Sequence, residues 1–238
     1  MSRNLQCASP HCATCSARDR SVFTQLTPIE LGNLSDTKGC RIYSKGELIF
    51  RADEFPKGLY CIHQGAIKIY KVGRDGKEQI LRLARRGDIL GYRSLISGER
   101  YRTFATPVDS AVICRIPKDS FLAMMTQSLN LSARIIDLLA TELKAAEDKI
   151  VQIAQKPVRE RLAEAFLMLH NASSEETDRS KLGINLTRGE LANLVGTAAE
   201  TVSRVLTNFK EERIIRMRGR AILINDYNAL VNAANLQD

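Results

Sequence analysis

Between Ile42 and Ile116, short runs rich in β-branched and aromatic residues are punctuated by Gly46, Gly58, Gly65, Gly76, Gly87, Gly91 and Gly98. Leu59-Tyr60-Cys61-Ile62, Ile67-Lys68-Ile69-Tyr70 and Ile80-Leu81-Arg82-Leu83 are bounded by turn residues, and Arg74-Asp75-Gly76-Lys77 carries the Asp-Gly pair favoured in tight hairpins. The pattern predicts a small antiparallel barrel or sandwich. Beyond Pro117 the period changes. Ile136, Leu139, Leu143, Ala146, Ile150 and Ile153 recur at alternating spacings of three and four, the narrow seam of a coiled coil rather than the broader face of a core-packed helix. A long helix that pairs with a second copy is expected, broken or restarted at Pro157. Residues 171–181 hold a single apolar residue and read as an exposed loop.

The next segment carries a more specific signal. Thr187 followed by Glu190, and Thr197 followed by Glu200, have the spacing of two capping boxes, so two helices are expected to start ten residues apart. Gly196 between them suits a left-handed turn, and Ala192 is small enough for a close helix crossing. This is a helix-turn-helix pattern. With Val202 and Val205 facing inward, Glu200, Ser203 and Arg204 project together from the second helix. Arg can donate two hydrogen bonds to guanine, Glu can accept from cytosine and Ser adapts to either, so these three are the candidate base readers. Glu200 and Arg204 also have the spacing of a surface ion pair. Ile214 to Met217 and Ala221 to Ile224 flank Arg218-Gly219-Arg220 as a hairpin wing, whose arginines are expected to touch phosphates.

Composition adds little to this. Of 238 residues 44% are hydrophobic and 26% charged, and no apolar run approaches a membrane span. The stretch from Met1 to Cys15 lacks the apolar core of a secretory signal, so a cytoplasmic protein with no membrane partner is expected. The net charge of +8 suits a polyanionic partner, yet residues 1–155 hold 23 Lys and Arg against 16 Asp and Glu, whereas residues 156–238 hold 12 against 11. The excess therefore lies mostly outside the helix-turn-helix, and the local crowd of Arg213, Arg216, Arg218 and Arg220 is more informative. No catalytic triad, carboxylate pair or phosphate loop stands out, so an enzyme is not expected.

A barrel, a long pairing helix and a winged helix-turn-helix, in that order, resemble the CRP/FNR family of bacterial regulators over nearly the whole chain. Glu200-Thr-Val-Ser-Arg204 is similar to the Glu-x-x-Ser-Arg recognition signature of the FNR branch. The resemblance implies an α+β chain with a cyclic-nucleotide-binding-like β-barrel, a long dimerisation helix and a C-terminal winged helix-turn-helix. The expected division is a cysteine-bearing arm at 1–20, a sensor barrel at 21–125, a dimerisation helix at 126–156 and a DNA-binding domain at 157–238. The resemblance further implies a homodimer on double-stranded DNA, at a palindrome related to TTGAT–N4–ATCAA, with RNA polymerase as a further partner. Thr187, Thr197, Glu200, Ser203, Arg204, Arg218 and Arg220 are the expected DNA contacts. Family members of the FNR branch carry an acidic residue on the dimer helix, at the position of Ala146 here.

Two signals are open to the barrel. In the CRP branch a Gly-Glu-Leu segment and a later Arg-Ser or Arg-Thr hold a cyclic nucleotide; here Gly91-Tyr92-Arg93-Ser94-Leu95 lacks the glutamate although Arg102-Thr103 remains, and Arg102 could instead pair with Glu99. A regulator gated by a small molecule is thus the alternative. The six cysteines favour the other signal. Cys7, Cys12 and Cys15, separated by four and two residues, and the distant Cys114 before Ile116-Pro117 form an iron–sulfur ligand set similar to that of the FNR branch, in what reads as a flexible arm. The last N-terminal ligand of that branch would fall near Ser21, so Cys7 is expected to replace it. Four-then-two spacing alone is the pattern of a two-iron cluster, the resemblance implies a four-iron cluster, which is favoured, and four thiolates could also hold zinc. The expected signal is oxygen or nitric oxide. Cys61 reads as a small core hydrophobe, Cys40 beside Gly39 is a candidate substitute ligand without a clear role, His11 beside Cys12 reads as a solvated loop residue in preference to a ligand, and His63 and His170 suggest no chemistry.

Overall fold

The computed structural model describes residues 11–171, 186–219 and 221–235. The elements in chain order are α1 (Pro28–Thr37), β1 (Gly39–Tyr43), β2 (Gly58–Gln64), β3 (Ile67–Val72), β4 (Glu78–Ala84), β5 (Ile89–Leu90), α2 (Tyr92–Ser97), β6 (Phe104–Pro107), β7 (Ala111–Pro117), α3 (Lys118–Gln127), α4 (Leu129–Gln155), α5 (Val158–Asn171), α6 (Arg188–Val195), α7 (Ala199–Glu211), β8 (Ile215–Arg218), β9 (Ala221–Ile224) and α8 (Tyr227–Ala234). The chain divides into two compact units, Met1–Lys71 with Leu81–Leu143, and Val72–Ile80 with Lys144–Asp238.

In the first unit two sheets, ordered β1-β7-β2-β5 and β4-β3-β6, enclose a core of Tyr60, Ile62, Ile67, Ile69, Ala105 and Ile113. Alternation along a strand decides which residues enter it. Tyr60 and Ile62 of β2 face this core, so Leu59, Cys61 and His63 take the outer face; on β7 Ile113 faces inward, leaving Cys114 and Ile116 outside. The outer face has its own apolar cover, in which Leu59 and Ile116 pack with Cys12, Phe23, Leu31, Leu34 and Phe121. Asp75-Gly76 makes the expected turn, with Gly76 at φ +77° and the Gly73 amide donating to the Lys77 carbonyl at 2.8 Å.

Residues 11–20 depart from expectation. They are not a free arm: two short 3₁₀ turns, Cys12–Thr14 and Arg18–Arg20, lie on the outer face, with Cys12 and Ala17 buried. The Cys12 amide donates to Ser35 Oγ at 2.8 Å and Arg86 donates to the Ser16 carbonyl at 2.6 Å. Gly87 makes this approach feasible, because at φ +91° a Cβ there would come within 2.9 Å of the Ala17 carbonyl oxygen.

Helix α4 runs for 27 residues and contains every position of the heptad stripe. Ile136, Leu143 and Ile150, seven residues apart, are 65%, 61% and 68% exposed, Ile153 is 42% exposed, Ala146 is exposed and Leu139 is half-buried. Among the described residues most of this apolar line is left uncovered, with Leu139 packed against the apolar cover of the barrel. In the second unit Pro157 separates α4 from α5, and Arg161 donates to the carbonyls of Ile153 and Lys156 exposed by the break. Leu162, Phe166, Leu191, Val195, Val202, Phe209 and Leu230 form the core beneath the helix-turn-helix.

Candidate DNA interface and thiol site

The helix-turn-helix is built from α6 and α7. The box at the start of α6 is present: Thr187 Oγ1 accepts from the Glu190 amide at 3.2 Å while Glu190 Oε2 accepts from the Thr187 amide at 2.8 Å. Gly196 caps α6 in the left-handed region at φ +71°. The second box is absent. The N-cap of α7 is Ala198, which has no side chain to offer, and Thr197 stands one residue before it. Val202, Val205, Leu206 and Phe209 bury one side of α7, leaving Glu200 and Arg204 exposed and Ser203 half-buried on the other. The Ser203 hydroxyl donates to the Ala199 carbonyl at 2.9 Å, so what it keeps for a partner is an acceptor. Strands β8 and β9 pair from Ile215↔Ile224 to Arg218↔Ala221, and exposed Arg218 stands at the tip beside Gly219 at φ +62°. Arg220 lies outside the described residues.

A second cluster of candidate residues lies on the outer face of the barrel. Cys12, Cys15, Cys61 and Cys114 line one cavity of about 30 Å³, together with Ser21, Lys38, His63 and a wall of Phe23, Leu31, Leu34 and Ile116. The arm supplies Cys12 and Cys15, β2 supplies Cys61 and β7 supplies Cys114, and Cys61 and Cys114 are direct cross-strand partners. Lys38 Nζ donates to Cys114 Sγ at 3.9 Å, and Cys15 Sγ lies 3.4 Å from His63 Nδ1. Burial pushes the Cys61 thiol well above the usual range, and the neighbouring Cys114, Cys15 and Cys12 thiols add to it. Burial also raises Cys114, against the opposing pull of Lys38. His63 is lowered, first by burial and then by Arg86 and Lys38, which favours a neutral ring beside Cys15.

Of the expected ligands, then, Cys12, Cys15 and Cys114 share a cavity, and Cys7 lies outside the described residues. Cys61 and His63, to which the sequence assigned no chemistry, line the same cavity. Cys40, opposite Cys114 on β1 and hydrogen-bonded through its side chain to the Cys114 thiol, also lines a second cavity beside Tyr43 and Tyr60. His11 is exposed and caps the first 3₁₀ turn, its Nδ1 accepting from the Ala13 amide. Among the described residues no three His, Cys, Asp or Glu side chains already stand at the spacing of one metal ion.

Residues 40–128 match the model of the cyclic nucleotide-binding domain and residues 160–233 that of the Crp-like helix-turn-helix domain. The chain is 30% identical over 227 residues to the fumarate and nitrate reduction regulatory protein of Yersinia pestis, an alignment covering 94% of this chain and 90% of that one. This chain belongs to the CRP/FNR family of transcription regulators. The Escherichia coli K12 protein named as in Yersinia is likewise 30% identical, over 229 residues, covering 94% of this chain and 90% of its own length. The structure of FixK2 from Bradyrhizobium japonicum has the same fold, with a TM-score of 0.75 at 24% identity, covering 84% of this chain and 99% of that one. CRP/FNR regulators bind DNA and act as dimers, and they are not enzymes. Among the described residues no helix is long and apolar enough to cross a membrane.

In this CRP/FNR regulator the barrel also holds a polar cavity of about 230 Å³, lined by Gly91 to Ser94, Glu99, Arg102 and Thr103. Arg82 lines it as well, already paired at 3.0 Å with Glu142 of α4. A ligand phosphate there would compete with a carboxylate supplied by the chain itself.

Proposed function

We propose that this CRP/FNR regulator binds a palindrome related to TTGAT–N4–ATCAA as a homodimer, and that an iron–sulfur cluster, of the four-iron type, makes its DNA affinity responsive to oxygen or nitric oxide. The observation that carries the sensing half is the meeting of Cys12, Cys15 and Cys114, remote in sequence, at one cavity with an apolar wall. The donor set suits such a group, since thiolates are the usual protein ligands of iron–sulfur clusters and the wall keeps water from the sulfurs. When bound, the cluster supplies the iron and sulfide with which oxygen or nitric oxide reacts. The chain supplies the rest: Cys12, Cys15 and Cys114 hold it, while Lys38 and His63 bring one cation and one neutral ring to the sulfurs. Cys7 is the fourth ligand that the sequence offers, and Cys61 the one that the cavity offers. Iron and sulfide content of anaerobically purified protein tests this reading: two to four irons with matching sulfide are about what a two- or four-iron cluster requires, whereas zinc alone contradicts it.

On the DNA side, Glu200, Ser203 and Arg204 read bases, Thr187 and Thr197 approach the backbone, and Arg218 and Arg220 contact phosphates. RNA polymerase is the further partner. Arg204→Ala is expected to weaken palindrome binding by about 1–3 kcal/mol and to relax the preference at one guanine, because a bidentate pair is lost. Arg218→Ala should weaken specific and random DNA alike and flatten the salt dependence. Fluorescence anisotropy on both DNAs at several salt concentrations separates the two. A change of base preference in Arg218→Ala would refute the assignment of the wing.

A further inference from the structure

Four of the five described cysteines line the cavity, and one of the four, Cys61, has the strand position of a core hydrophobe. We infer that Cys61 is the fourth cluster ligand, completing a set with Cys12, Cys15 and Cys114. This rests on the cluster reading above and assigns a residue to it that the sequence did not.

The register of the sheet is the first support. Cys61 and Cys114 are directly opposed in the β2–β7 ladder, on its outer face. Side chains opposed in this way have Cβ atoms about 4.5–5.5 Å apart, so two thiolates start from one rigid rung and reach a common ligand. Cys12 and Cys15 approach the same point from the other wall, on short turns held by Ser35 and Arg86. Two ligands thus come from a fixed ladder and two from short turns packed over it.

Ser21 is the second support. It lines the same cavity and is buried, at the place where the resemblance puts the last N-terminal ligand. Its hydroxyl is committed elsewhere, donating to the Arg18 carbonyl at 2.8 Å and accepting from the Phe23 amide at 3.1 Å. A hydroxyl in place of a thiol removes one sulfur from the arm side, and Cys61 returns one from the strand side. The apolar part of the wall is Phe23, Leu31, Leu34 and Ile116, which a methyl or a valine would suit as well as a thiol if packing were the only requirement.

The test uses the full-length chain, purified apo and reconstituted anaerobically with ferrous iron and sulfide, with iron, sulfide and visible absorbance measured for each variant. Cys61→Ala should retain the apo melting temperature within a few degrees yet lose about fivefold or more of its iron, as Cys12→Ala should. Cys7→Ser should keep the wild-type load. Because Ser21 faces the same cavity, Ser21→Cys in the Cys61→Ala background should restore iron and absorbance, a rescue that a packing role cannot produce. Wild-type iron in Cys61→Ala overturns the inference, as does a loss of iron that Ser21→Cys leaves unrepaired. A wild-type chain that takes up neither iron nor sulfide overturns the cluster reading itself, a different and distinguishable failure.

Discussion

Leu143→Asp is expected to leave the chain monomeric at micromolar concentration and to abolish tight binding to the palindrome. Leu143 is the middle of three exposed residues, Ile136, Leu143 and Ile150, that repeat every seven positions on α4. In a parallel pairing of two such helices each of these side chains is buried twice, once per subunit. Removing a buried leucine costs about 1.5–3 kcal/mol per copy. Two aspartates meeting across the seam add repulsion and desolvation to that loss. Together these correspond to a weakening of dimerisation by about a hundredfold to ten-thousandfold. Lys144→Gln, one residue away and off the stripe, should leave the dimer intact. Analytical ultracentrifugation reads both, and a dimeric Leu143→Asp would remove α4 as the pairing surface. The same run addresses Ala146. With a neutral residue where the FNR resemblance implies an acidic one, nothing repels at that position, so cluster-free wild type should be largely dimeric. A clean apo monomer that dimerises only on reconstitution would move the control to other residues of the helix, Glu142 or Asp148.

Phe209→Ala is expected to unfold the DNA-binding unit at temperatures where wild type is intact. Phe209 is fully buried on the inner side of α7. Its ring lies 6.3 Å from that of Phe166 on α5, and the Arg159 guanidinium sits 4.7 Å over it while pairing with Glu212 at the end of α7. A truncation of this kind leaves a cavity and removes the ring beneath the Arg159 guanidinium, and costs about 3–5 kcal/mol, a large part of the stability of a small domain. Urea denaturation followed by circular dichroism measures the loss. Binding should fall equally on specific and random DNA, unlike the base-selective effect of Arg204→Ala. A variant with an unchanged unfolding transition would show that the helix-turn-helix core closes without this ring.

How much of this was legible beforehand depends on how local the signal is. Alternation, the Asp-Gly turn and the heptad stripe report only on neighbours a few residues away, and the strands, the hairpin and α4 lie where those patterns put them. The box of Thr187 and Glu190 is equally local and is formed. Thr197 and Glu200 have the same spacing yet form none, because the tight turn after Gly196 delays the helix until Ala199 and leaves alanine at the cap. That Cys61 and His63 share a cavity with Cys12, Cys15 and Cys114 was illegible for a different reason. Period two shows that Cys61 and His63 share a face with Leu59, but not that this face turns outward beneath the arm, and the pairing of Cys61 with Cys114 is a matter of register between distant strands. The packing of residues 11–20 was invisible for the same reason, since Gly87 announces a close approach without naming what approaches.

The most direct test is the affinity of one sample for the palindrome, measured by fluorescence anisotropy after anaerobic reconstitution and again after exposure to air or to nitric oxide, with the visible absorbance recorded alongside. Loss of the cluster absorbance should be accompanied by a loss of specific affinity of about tenfold or more, the size of a typical coupling between two sites. Identical affinity before and after the absorbance disappears would contradict cluster-controlled DNA binding and leave a CRP/FNR regulator whose signal is something else.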